Sequence, residues 1–432
     1  MHSKYKDLLL FFFESDIKLK YFRFQIFEMK NIKSLLAAFL VSLTVAVGCK
    51  KESEPEVQVT VIKVGALLSK TGEWSNLGIS SNATLEIGVQ MINEYYVSRN
   101  FPYRLELVVS DTQLNPDNAA AAMQNFADQG ITMVIGPQSS SEVAAIKTIA
   151  DQYGILVVSQ GSTASSLAIA DDAIYRLCPG DQIEGSAMAQ SIYNLPKSGL
   201  VTIARNDAGN LGLQSAVGNQ FELLGGEVLS AGSYDISTAD FNASLDAIRE
   251  GIISLNGTHP IEEIGVYLAS FDEAVQLFEQ AYGDPTLSSV QWFGGDGFIK
   301  NQALLSNTNA ASFAFTTSFF SPEFGLPESA SDVWAPLKES VLNRCGYEAD
   351  AFTLATYDAL WIMAKMIEVN NGPIANATSR YSEFESIAQG YNGATGNVQL
   401  NNAGDRSNGA FDYWGLQYTN SNYEWIQVGQ SE

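Results

Sequence analysis

The most constraining feature of this chain is an alternation. From residue 61 to residue 295, short runs that are apolar throughout take turns with stretches of helical period. "VIKVGALL" (61–68), "RLELVVSD" (104–111), "ITMVIG" (131–136) and "ILVVS" (155–159) form one series. "LVTIAR" (200–205), "GEVLSAG" (226–232), "IGVYLAS" (264–270) and "VQWFGG" (290–295) form a second. Strands that are apolar on both faces need cover on both faces, and intervening helices allow them to pair in parallel. The helical stretches carry the matching stripes. Leu85, Val89 and Ile92 share one face, as do Phe241, Leu245, Ile248 and Ile252. Asn115 and Pro116 read as a helix cap and first turn, with Gly130 as the stop. The series pauses at "YRLCPGDQ" (175–182), and an irregular stretch (316–332) follows the second block. An amphipathic helix over 351–368 and a turn-rich segment over 391–406 remain. The expected fold is α/β: two doubly wound parallel-sheet lobes, with the chain recrossing so that each lobe is built from discontinuous segments.

The beginning of the chain is of another kind. Residues 29–48 have a short basic head and a small-residue apolar stretch ending at Cys49. That stretch is too short to span a bilayer, which takes about 20 apolar residues, and reads as a secretory signal. Ala46-Val47-Gly48-Cys49 is similar to a lipoprotein signal in which Cys49 is acylated. Residues 1–28 read as an over-extended start, and residues 49–60 as a flexible tether. The first 48 residues carry seven basic and four acidic side chains, a net of +3, so the whole chain's −24 becomes −27 beyond them. Such an acidic surface disfavours nucleic acid. His2 and His259 are the two histidines, which leaves a Ser-His-Asp hydrolase dependent on His259 alone and no basis for a multi-histidine metal site. Cys178 and Cys345 are either a disulfide or two free thiols.

In open parallel sheets, ligands bind where strands end and helix N-termini present free N–H groups. After the third strand comes "GPQSSSEV". Ser139 and Glu142 have capping-box spacing, which leaves Ser140 or Ser141 to face the open end of the sheet. After the fourth come Ser159, Gln160, Gly161, Ser162 and Thr163; after the last comes Gly294-Gly295-Asp296-Gly297. Hydroxyls beside bare N–H groups suit an anion, and on these features alone phosphate, sugar and carboxylate ligands all remain.

Taken together, "IKVGALLSKTGEWSNLGISSNATLEIGVQMINE", "GPQSSSEV", "ADQYGILVVSQGSTASSL", "YRLCPGDQIEGSAMA", "WFGGDG" and "GATGNVQLNNAGDR" resemble, in order and spacing, the type I periplasmic binding proteins of the leucine/isoleucine/valine-binding family. The resemblance implies two lobes joined by a three-crossing hinge: lobe I over 61–176 and 320–395, lobe II over 177–319 and 396–432. It implies that Ser140 and Thr163, with Ser141 and Ser162 beside them, hold a ligand carboxylate, and that Asp296 holds its ammonium. At side-chain positions where the family carries tyrosines, this chain has Leu77, Leu211 and Phe271. Trp74 is either a pocket wall or an exposed loop residue. The implied function is that of an extracytoplasmic solute-binding lipoprotein at the cell envelope. It would be a non-enzyme without cofactor or metal, capturing an amino acid or similar zwitterion for an ABC permease. A sensory receptor of the same fold and a binder of an amide, urea or aromatic acid are the alternatives. A hydrolase using one of the serines is a third class.

Overall fold

The computed structural model describes residues 58–431. The over-extended start, the signal, Cys49 and most of the tether lie outside the described residues.

The first series folds as β1 (Thr60–Leu68), α1 (Ser75–Ser98), β2 (Tyr103–Asp111), α2 (Pro116–Asp128), β3 (Met133–Ile135), α3 (Ser140–Tyr153), β4 (Leu156–Ser159) and β5 (Ile174–Pro179). Asn115 caps α2 by accepting from Asp117 N and Asn118 N, with Pro116 in the first turn. These strands pair in parallel in the order β5-β4-β3-β1-β2. β3 and β4 are buried along their whole length, as uniformly apolar strands require.

The second series follows as α4 (Asp181–Asn194), β6 (Gly199–Arg205), α5 (Ala208–Leu223), β7 (Glu227–Tyr234), α6 (Asn242–Leu255), β8 (Ile264–Ala269), α7 (Ala274–Ala281) and β9 (Gln291–Gly294). After α8 (Gln302–Ser306) and α9 (Thr308–Thr316) comes β10 (Phe320–Phe324), which falls inside the stretch that the sequence marks as irregular. Pro322 is the reason for that mark, since proline cannot donate to a sheet ladder. β10 tolerates it because it pairs with β9 only through Phe320 and otherwise runs antiparallel to β14 (Phe411–Thr419). β14 turns at Asn420-Ser421, both with positive φ, into β15 (Asn422–Gln430). The second sheet has the order β15-β14-β10-β9-β8-β6-β7.

Between β10 and β14 the chain returns to the first lobe as α10 (Ser331–Cys345), α11 (Ala351–Val369) and α12 (Ala377–Ala388). The ribbon β11 (Asn392–Gly393) and β12 (Gly396–Asn397) follows, then β13 (Asp405–Arg406), which pairs with β5. α11 is buried nearly all round rather than amphipathic, because α1, α12 and β5 pack about it. The lobe boundaries therefore shift. β10 belongs to the second sheet, so the second crossing falls after Phe324 and not at 320. β13 belongs to the first sheet, so the third falls after Arg406 and not at 396.

The three crossings lie side by side. Gly325 N donates to Ala410 O at 2.8 Å, and Gly409 leaves no room for a Cβ against Pro179. Arg406 reaches all three: its guanidinium stacks on Phe324 at 4.9 Å and donates to Leu177 O at 3.5 Å and to Asn408 O at 3.0 Å. Burial brings the Arg406 pKa down to about 10. Among the described residues, no helix is long and apolar enough to cross a membrane.

Candidate ligand cleft

The site forms where the strands of both sheets end. The break after β3 has a steric cause. Gly136 sits at φ +85°, and a Cβ there would lie 2.1 Å from Leu67 O. Ser139 then caps α3 in the expected capping box with Glu142. Glu142 is buried, and its pKa is raised chiefly by that burial. Ser140 stands on the next position with its side chain towards the opposite lobe. Its Oγ accepts from Ala164 N at 3.1 Å and from Ser162 Oγ at 3.1 Å. With both acceptor sites filled, the remaining O–H is a donor, the polarity that suits a carboxylate.

Thr163 lies beside Ser140 on the loop after β4. Arg176 holds this loop from behind: it donates to Ala164 O at 2.6 Å and Ser162 O at 3.3 Å while gripping Asp405 with two bonds, at 2.5 and 2.7 Å. The Thr163 hydroxyl also lies beside the Asp181 carboxylate and favours its charged form.

The facing wall belongs to lobe II. Asp296, 8% exposed, follows β9. Asp207 caps α5 by accepting from Gly209 N and Asn210 N, both at 3.1 Å, and is spent on that cap and on Arg205. A Cβ on Gly209, at the α5 N-terminus, would lie 3.5 Å from Ser140 Oγ. Two helix N-termini therefore face one another across the cleft, with Asp296 beside them. Trp74 closes the mouth. It is 6% exposed, its backbone N–H donates to Asp272 Oδ2 at 3.2 Å, and its ring lies 5.2 Å from Phe271. It is thus a pocket wall and not an exposed loop residue. Glu73 Oε2 accepts from Arg205 at 2.5 Å outside it. With these contacts made, the walls enclose about 20 Å³, room for about one water, and the lobes are closed on each other.

Ser140, Thr163, Asp296, Trp74 and Phe271 thus share one cavity. The other expected residues do not line it. Ser162 supports Ser140 from below, and Ser141 turns back towards Ser139. Leu77 is buried in the apolar cluster behind Trp74, and Leu211 is 37% exposed on α5. Asp207, Gly209, Asn210 and Leu213 line the cavity without having been singled out. The strand-end rule applied to β6 finds the first three, since "NDAGN" (206–210) follows it directly. Two larger hollows, about 730 and 470 Å³, lie outside the cleft and contain none of these strand-end residues. Cys178 and Cys345 are free thiols. His259 sits at the opposite end of β6, 2.9 Å from Ser198 Oγ, whose own proton goes to Glu263 at 2.6 Å.

Residues 83–419 match the family model described as the receptor family ligand binding region. The chain belongs to this family. Its fold is that of the type I periplasmic binding proteins. An uncharacterized protein of Methanocaldococcus jannaschii, MJ1266, is 26% identical over 398 residues, which cover 87% of this chain and 92% of that protein. The leucine-binding protein LivK of Thermotoga maritima superposes with a TM-score of 0.66 at 20% identity, covering 86% of this chain and 99% of LivK. A solute-binding protein of R. palustris in complex with benzoate superposes at 0.64 with 17% identity, covering 86% and 96%. In a binding protein of this type, strand ends from two lobes meet at a cleft that opens and closes, and the geometry above is of that kind.

Proposed function

We propose that this binding protein captures a small zwitterion, an amino acid or close analogue, with its carboxylate on Ser140 and Thr163 and its ammonium on Asp296. The observation that carries this reading is the pairing of opposite polarities across one cavity. Hydroxyl and N–H donors stand on the first lobe, and a nearly buried carboxylate stands on the second. A desolvated ammonium needs such a partner, and a desolvated carboxylate needs such donors. A ligand touching both walls stabilises the closed form over the open one, which is what makes capture selective.

The capture step is followed by delivery to an ABC permease, with Cys49 acylated to hold the protein at the membrane. The reading as a solute carrier without catalysis follows from the same family. Binding of an aromatic acid is the second reading, supported by Trp74 and Phe271 on the cavity wall and by the benzoate-bound neighbour.

Titration calorimetry of the mature chain against the twenty standard amino acids and benzoate tests the proposal. An amino acid is expected to bind. Asp296→Asn is expected to weaken it by about 2–5 kcal/mol, at least about thirtyfold, as loss of one partner of a buried charge pair does. Binding of benzoate alone, or an unchanged affinity in Asp296→Asn, would overturn the headgroup assignment.

A further inference from the structure

Behind Asp296 lies a group that the zwitterion reading does not use. Glu184, on the first turn of α4, is fully buried, and its Oε1 accepts the Asp296 backbone N–H at 3.2 Å. Its Oε2 has no partner. Asp181, at the start of the same helix, is also fully buried. One of its oxygens accepts from Ser165 N at 3.0 Å and the other has no partner. Gly212 lets this carboxylate approach α5, since a Cβ there would lie 2.3 Å from Asp181 Oδ2. From β8 the Tyr267 hydroxyl, fully buried and without a partner, points at the loop: it lies 3.2 Å from the position a Gly295 Cβ would occupy.

The positive charges nearby are already engaged. Arg176, on β5, is bound to Asp405, and Arg205 to Glu73, Asp207 and Glu273. Cys178, also on β5, and Tyr413, on β14, are the other titratable groups facing the cluster. Among the described residues, no Lys, Arg or His forms a salt bridge with Asp181, Glu184 or Asp296.

We propose that Asp181 and Glu184, buried behind Asp296, set the class of ligand that this cleft accepts. With Asp296 they form a buried three-carboxylate wall that retains only a ligand bringing a positive charge, and a proton held by the wall beforehand leaves to solvent on capture. This rests on the zwitterion reading and deepens it, because it makes the cation and not the carboxylate the deciding group.

Three buried acids without a cation cannot all ionise. Burial foremost, then the neighbouring Asp181, pushes Asp296 up to about 7. Burial foremost pushes Asp181 up to about 6. Burial, then Asp296 and Asp181, pushes Glu184 well above the usual carboxyl range. An ammonium placed against Asp296 favours its ionised form, so its arrival expels the proton and replaces it. Ligand affinity is therefore present above about pH 7 and is lost as pH falls through that value. A ligand without positive charge, such as benzoate, finds no such exchange.

The test uses the mature chain, with free amino acids, their N-acetyl forms and benzoate as probes. Calorimetry at pH 6 and pH 8, in buffers of different ionisation enthalpy, reads both affinity and protons released. The bound amino acid is expected to gain about tenfold in affinity from pH 6 to pH 8, as one group titrating near 7 gives, with proton release on binding. Asp181→Asn, which removes the neighbouring carboxylate that raises Asp296, reduces that gain to less than about threefold, and Asp181→Glu retains it. Infrared spectroscopy of the ligand-free protein at pH 6 is a second readout: a buried protonated-carboxyl band, weakened in Glu184→Gln.

An amino acid that binds equally at both pH values, or an Asp181→Asn protein that keeps the tenfold gain, overturns the role of the acids behind Asp296 while leaving the zwitterion reading intact. Absence of the infrared band overturns it whichever probe binds. Benzoate or N-acetyl forms binding as tightly as free amines would overturn both.

Discussion

Asp296 and Asp181 are held in a way that works against the folded state whenever the cleft has no cation in it. Their pKa values stand at about 7 and about 6, above the ordinary 3.8 that each regains on unfolding, with burial as the first cause. A carboxyl raised on folding stabilises fully below about pH 4, and that contribution is lost as pH rises through its folded value. The ligand-free protein is therefore expected to melt at a lower temperature at pH 8 than at pH 5. Asp296→Asn is expected to recover several degrees at pH 8 and little at pH 5, which scanning fluorimetry at the two pH values would measure. Equal shifts at both pH values would contradict the assignment. A substitution that stabilises the protein while damaging the site is the usual sign of a group kept for function. Ser140 is the converse case: its two accepted bonds are ordinary structural ones, and the proton left over is free for a ligand.

Among the elements, the strands and the helix starts after them were readable because each is a local pattern. β3 and the capping box of α3 follow from "ITMVIGPQSSSE" alone. β10 was not, because Pro322 breaks the local pattern while its partner β14 lies some ninety residues further along the chain. The hairpin of β14 and β15 was overlooked although Asn-Ser between alternating runs is a local turn signal. Glu184 was hidden for a different reason: its meaning depends on Asp296, which is far away in sequence. The packing of α4 on α5 depends on a similarly unreadable detail. A Cβ on Gly185 would lie 2.6 Å from the Ala216 Cβ and 2.9 Å from its backbone carbon. Gly185→Leu is expected to cost about 1–3 kcal/mol, as overpacking does, and a lower urea midpoint with unchanged m-value would register it. Because Glu184 precedes Gly185, the same change should also disturb the acid wall.

For the molecule as a whole, the lobes are joined by three crossings that Arg406 ties together, and they are fastened on the far side of the cleft by Glu73 with Arg205 and by Trp74 with Asp272 and Phe271. The Glu73–Arg205 bond spans the two lobes, so it adds to affinity only through closure. Glu73 is partly exposed, which limits the pair to about 0.2–1 kcal/mol. Glu73→Gln is accordingly expected to weaken binding by only about 1.4- to 5-fold, with the change in the dissociation rate and not the association rate. Stopped-flow kinetics on the bound amino acid would detect it, and a slower association with unchanged dissociation would contradict it.

The seal made by Trp74 has a kinetic consequence. A solute held behind an indole packed on a phenyl ring is expected to leave by separation of the lobes. How long it stays is then governed by how often the doorway swings open, so even a perfectly matched cargo cannot be released faster than the protein itself unlatches.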